Sequence, residues 1–130
     1  MSRSGEDGEP DAASGSPNVE PFAIDVFDYE GIRVTCTVQQ WSIKIDLGHP
    51  ELSGEQVAVA EVIADPELVL QDRDYPDRRH LTRRTPEALY LVAVVEYQYL
   101  EDALRGRLVT AFLRRRLRSD DHVIFVSIRR

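Results

Sequence analysis

The chain has 130 residues, 42% of them hydrophobic, and a formal charge of −7. That length suits one domain able to bury a core without staples, and a second independent domain is not expected. The single cysteine, Cys36, excludes an internal disulfide, and no His or Cys cluster has the spacing of a zinc site, so no metal or other cofactor is expected and a reducing, cytoplasmic setting is the natural reading. No run approaches the roughly 18 apolar residues that span a bilayer, and the polar, acidic N-terminus lacks a secretory pattern, so no membrane partner is expected.

The charge is unevenly distributed. Residues 1 to 30 carry eight acids and one arginine, residues 31 to 72 carry seven acids and two basic residues, and residues 73 to 130 carry eight acids against thirteen arginines and no lysine. The last segment is therefore basic inside an acidic protein, a cue for an interaction surface on one part of the fold. Arginine's planar fork suits bidentate phosphate recognition, although an arginine-rich codon usage gives the same composition.

Residues 1 to 20 are rich in Gly, Ser, Pro, Glu and Asp and are expected to form a disordered acidic tail, leaving 21 to 130 as the domain. Phe22 to Phe27, with Phe22, Ile24 and Val26 alternating, predicts an edge strand, and Ile32 to Val38 alternates likewise. Trp41 and Ile45 are an i, i+4 pair suited to a short helix, with Trp41 in the core. Ser53 with Gln56 reads as a capping box opening a helix that Pro66 ends near Asp65. Leu68 to Leu70 is a short strand and Gln71 to Arg79 a polar loop. Leu89 to Tyr97 is continuously apolar, as in a central strand covered on both faces, and Arg107 to Leu113 and His122 to Ile128 are further strands, with a hairpin link over Gln98 to Arg105. Helices first and an antiparallel sheet afterwards make the class α+β.

His49 is the best acid or base candidate, since a free imidazole titrates near neutrality and this one lies in a polar connection, with Asp46 and Glu51 beside it. A histidine that merely ends the preceding helix is the plainer reading. His80 in a charged loop and His122 at a strand start have weaker claims. Arg78, Arg79, Arg83 and Arg84 flank His80 to Thr82, and on a strand Arg79, Leu81 and Arg83 share one face. That face suits a phosphate clamp, or else is a solvated charge run. Arg114 to Arg116 with Arg118 suit tracking a nucleic-acid backbone. Thr110, between Val109 and Ala111, is by itself only a good strand former.

Taken in order, WSIKIDLGHPEL (Trp41 to Leu52), VIADPELVL (Val62 to Leu70), RRHLTRR (Arg78 to Arg84), ALYLVAVVEY (Ala88 to Tyr97) and RLVTAF (Arg107 to Phe112) resemble the phage-associated branch of the barnase, EndoU, colicin and RelE-like nucleases. The resemblance covers about residues 38 to 115. It implies two N-terminal helices packed on a four- to five-stranded antiparallel sheet, and RNA cleavage without metal. It implies His49 as acid or base, Arg79 on the scissile phosphate and Thr110 orienting that phosphate; beside these, Lys44, Arg78, Arg83 and Arg114 are expected to be substrate-binding cations. The implied reaction is attack of a ribose 2′-hydroxyl on the adjacent phosphate, which restricts such an enzyme to RNA.

The expected function is thus a metal-independent endoribonuclease, toxin-like or phage-derived, with RNA as partner. A toxin-like role would add a cognate inhibitor protein. The alternative is a non-catalytic RNA- or protein-binding module of the same fold, either an inactive relative or an immunity-type protein presenting its acidic half. RNA target and oligomeric state are not readable from the residues.

Overall fold

The computed structural model describes residues 21–118 and 122–127, and the tail expected over residues 1 to 20 lies outside them. Alternation sets the opening hairpin: β1 (Phe22–Phe27) pairs antiparallel with β2 (Arg33–Thr37), burying Ile24, Val34 and Cys36 on one face. Four further strands follow the helical region: β3 (Leu68–Gln71), β4 (Arg78–Arg84), β5 (Tyr90–Leu100) and β6 (Ala103–Arg114), with β7 (Val123–Val126) on the far edge. The seven strands form one sheet in the order β1-β2-β6-β5-β4-β3-β7. Every neighbouring pair is antiparallel except β2 and β6.

The class is α+β, as the order of elements predicts, but two details differ. The sheet has seven strands rather than four or five, and it is not preceded by two helices, because the β1–β2 hairpin comes first. Helix α1 (Val38–Trp41) is one turn, continued by a π turn over Ser42–Asp46 and, after Gly48, a 3-10 turn over Pro50–Leu52. Only α2 (Gln56–Ala64) is a helix of ordinary length.

The helix signals also moved. Ser53 opens no capping box, since its hydroxyl donates to Asp46 Oδ1 at 2.9 Å and α2 starts after Glu55 without a side-chain cap. The capping box lies at Thr37, whose Oγ1 accepts from Gln40 N at 3.0 Å while Gln40 Oε1 accepts from Thr37 N at 3.2 Å. Trp41 is 2% exposed, its indole N–H donating to Asp46 at 3.1 Å. A buried ring with its polar edge satisfied is the stable arrangement for tryptophan.

The core lies between the sheet and α2, where Val59, Val62 and Ile63 meet Val69, Leu81, Leu91, Ala93, Val95, Leu108 and Ala111. Burying each such valine or leucine contributes roughly 1.5–3 kcal/mol. The continuous run Leu91 to Val95 is explained by burial on both faces: Leu91, Ala93 and Val95 belong to the core, while Val92 and Val94 are buried on the opposite face with Leu70 and Thr82. The segment from Arg78 belongs to β4 rather than to the polar loop. The β5–β6 link is a two-residue turn, Glu101 and Asp102 at φ 53° and 66°, the twist a tight hairpin demands.

β5 and β6 share an irregularity that matters below. Val95 pairs with Leu108 and Val94 with Thr110, so Val109 is an extra, unmatched residue. Such a bulge reverses the alternation of the strand beyond it.

The tip of the first hairpin closes over the core face. Asp28, 5% exposed, accepts from the backbone of Glu30 and Ile32 at 2.8 Å each and from the Tyr97 hydroxyl at 2.7 Å. Tyr29 stacks at a tilt on Phe125, ring centroids 4.8 Å apart, although their strands lie at opposite edges of the sheet order. The sheet is therefore curled around its helix.

Candidate functional site

Register arranges the face opposite α2 into transverse rows. Arg78, Glu96 and Arg107 form one; His80, Val94 and Thr110 the next; then Thr82, Val92 and Phe112; and last Arg84, Tyr90 and Arg114. Residues directly paired across antiparallel strands share a face, so each row is a line of neighbours. This face carries Thr110 because the Val109 bulge turns it away from the core side.

His49 stands beside the third row. Its ring lies 5.8 Å from that of Phe112, and its Nδ1 is 3.7 Å from Glu51 Oε2. Thr110 is two residues from Phe112 on the same face, roughly 7 Å along the strand. His49 thus meets the face that carries Thr110 through Phe112. Of the two acids beside His49 in sequence, Asp46 is directed to Trp41 and Ser53, leaving Glu51 as the nearby carboxylate.

Arg79 does not join them. It alternates with core residue Leu81, so it stands on the helix side, where its Nη1 donates to Glu30 at 2.7 Å and to the Tyr29 hydroxyl at 3.0 Å and its guanidinium lies 4.9 Å over the Tyr97 ring. Burial lowers its pKa, but the hydrogen bond to Glu30 and the surrounding phenols and carboxylate more than offset that and raise it. Arg79 is a fixed cation of the hairpin closure, not a companion of His49 and Thr110.

The remaining predicted cations divide by partner. Arg78 and Arg107 both reach Glu96, at 3.4 and 2.6 Å, and the Arg107 hydrogen bond holds that carboxyl below its ordinary pKa against the desolvation that raises it. Arg33 is taken by Asp25 at 2.8 Å. Among the described residues, Lys44, Arg83, Arg84, Arg105, Arg114, Arg115, Arg116 and Arg118 have no carboxylate within ion-pair distance. Most of these collect at one end of the sheet. Arg84 and Arg114 flank Tyr90 in the last row, with the Arg84 guanidinium 5.3 Å over the Tyr90 ring and that of Arg114 5.8 Å over Phe112. Arg115, Arg116 and Arg118 follow directly, all exposed.

Tyr90 is the residue the sequence did not single out. Its position between two arginines depends on the register of three consecutive strands, β4, β5 and β6; the only local signal is the short connection from Arg84 to Tyr90. His80, by contrast, is held: its Nε2 lies 2.7 Å from Asp72 Oδ1. Cys36 is buried, and desolvation pushes its thiol up to about 11. Among the described residues no group of three or more His, Cys, Asp or Glu side chains is placed to hold a metal ion, and no helix is long and apolar enough to cross a membrane.

The fold and site define an α+β protein with a curled, mostly antiparallel sheet and one arginine-rich end. No known family model matches the chain, and comparison with curated proteins and with solved structures likewise finds no match.

Proposed function

We propose that this protein binds single-stranded RNA through the arginine-rich end of its sheet. The observation that carries the reading is the row Arg84–Tyr90–Arg114, two guanidinium forks with no carboxylate partner among the described residues on either side of an aromatic ring, continued by exposed Arg115, Arg116 and Arg118. Arginine forks hold phosphates bidentately, and an aromatic between them offers a base a stacking surface. Cations without a carboxylate partner among the described residues have no such ion pair to give up on binding. The overall charge of −7 does not oppose this, because the acids lie mostly in the first 72 residues. The test is the affinity of a fluorescent oligoribonucleotide for the wild type and for Arg84→Ala/Arg114→Ala across a salt series. A loss of at least tenfold in the double variant is expected, and unchanged affinity would remove the reading. Equal binding of the matching DNA strand would widen it to single strands in general.

A second reading is that the same face cleaves RNA without metal, as a toxin-like or phage-derived endoribonuclease. The contact of His49 with Phe112, beside Thr110, favours it. His49 would take the 2′-hydroxyl proton or return one to the departing 5′-oxygen, and Thr110 would hydrogen-bond the phosphate. The cation would come from the arginine row rather than from Arg79. Incubating labelled RNA in chelator tests it: cleavage lost in His49→Ala supports it, and binding without cleavage leaves a non-catalytic module.

A further inference from the structure

A cleft of about 540 Å³ opens between α2 and the ends of β4 and β5, lined by Ala58, Glu61, Val62, Arg83, Arg84 and Leu91, with Thr85 and Pro86 at the turn. Its composition is divided. Ala58, Val62, Leu91 and Pro86 supply an apolar surface, Arg83 supplies a cation without a carboxylate partner among the described residues, Arg84 lines the rim with its guanidinium over Tyr90, and Glu61 supplies one exposed carboxylate. Successive strand residues point to opposite sides, so Arg83 stands on the helix side while its neighbour belongs to the row with Tyr90. The two line one cleft because it sits where the strand ends and the chain turns through Thr85 and Pro86.

We propose that this cleft binds a nucleoside monophosphate unit whose base bears an exocyclic amino group. The phosphate sits on the Arg83 fork, the flat base lies on Leu91, Val62 and Pro86, and Glu61 accepts from the amino group. A simple anion would leave the apolar wall uncovered, and a neutral apolar ligand would leave the Arg83 guanidinium unmatched. A guanine or adenine nucleotide meets all three requirements, whereas uracil offers Glu61 no amino group. The inference rests on the RNA-binding reading in one respect: Arg84 also belongs to that row, so the cleft would hold a nucleotide of the bound strand beyond it.

The test is titration of the full chain with GMP, UMP and inorganic phosphate, followed by calorimetry and amide shift mapping. GMP should bind at least fivefold more tightly than UMP and at least tenfold more tightly than phosphate, with shifts at Ala58, Val62 and Leu91. Arg83→Ala, at a half-buried position outside the Arg84–Tyr90–Arg114 row, should weaken GMP at least tenfold, and Glu61→Ala, which removes the acceptor, should erase the preference over UMP. Ala58→Trp, which fills the cleft and leaves the arginines, should abolish GMP binding, its folding checked by thermal melting. If it does not fold, Arg83→Ala and Glu61→Ala decide. No GMP binding at millimolar concentration, GMP no tighter than phosphate, or equal affinity in wild type and Arg83→Ala overturns the proposal. Oligoribonucleotide binding that persists in those outcomes leaves the wider reading standing, and GMP binding without oligoribonucleotide binding does the reverse.

Discussion

Arg79 and Thr110 stand on opposite faces of the sheet, and a single extra residue separates them. Without the bulge at Val109, alternation from the core residue Leu108 would turn Thr110 to the helix side, the side Arg79 occupies. With it, Thr110 joins Val94 and His80 on the other face, and Arg79 is left to Glu30, Tyr29 and Tyr97. A structural role for Arg79 follows. Arg79→Ala should lower unfolding free energy by about 1–3 kcal/mol, because it strips a charge-assisted donor from a half-buried closure, and should change RNA affinity less than twofold. Urea denaturation and a binding isotherm on the same preparation check both. A tenfold loss of binding without loss of stability would return Arg79 to the ligand.

Gly106 marks where the parallel pair β2 and β6 comes close. A Cβ there would lie 2.8 Å from Val34 Cγ2 and 3.0 Å from Val95 Cγ1, both in the buried core, so neither neighbour can swing into solvent. Gly106→Ala is expected to destabilise by about 1–3 kcal/mol through overpacking. Chemical denaturation should show the midpoint fall with the slope unchanged.

At Ala88 the backbone is left-handed, φ 66°, in the turn from Thr85 to Leu89 that joins β4 to β5. A side chain there is strained by about 1 kcal/mol relative to glycine. Ala88→Gly should therefore raise the melting temperature or leave it level, despite the added freedom of the unfolded chain. A fall of several degrees would contradict the turn geometry.

Alkaline pH should weaken the fold through Cys36. Burial raises its thiol to about 11, so the unfolded chain releases that proton first as pH rises. The stability present below the thiol's ordinary pKa of about 8.5 is then lost progressively up to about 11, by roughly 2 kcal/mol or more. Tyr97, raised by burial and by its hydrogen bond to Asp28, adds a loss of the same sign at higher pH. Stability measured from pH 8 to 11 should fall in wild type and fall less in Cys36→Ala.

The chain wrote some of this plainly and some not at all. Phe22 to Phe27 and the apolar run through Leu91 to Val95 were readable because alternation and two-sided burial leave local patterns. The α+β class followed from them. The capping box was misplaced because Ser53 and Gln56 fit the pattern, while tertiary contact with Asp46 took the Ser53 hydroxyl. The candidate site was only half legible. His49, Arg79 and Thr110 were named together as one site, but a bulge has no sequence signature, so the separation of Arg79 from Thr110 was not readable. Beyond the short connection from Arg84, no local cue puts Tyr90 beside Arg114, which reaches it through the β5–β6 register.

The most direct test of the central claim is the salt dependence of oligoribonucleotide binding. If Arg84 and Arg114 each hold a phosphate, replacing both with alanine should weaken binding at least tenfold and reduce the slope of log affinity against log salt by about 1 to 1.5, near 0.7 per contact for single strands. Affinity and slope both unchanged in a folded Arg84→Ala/Arg114→Ala protein would contradict the account.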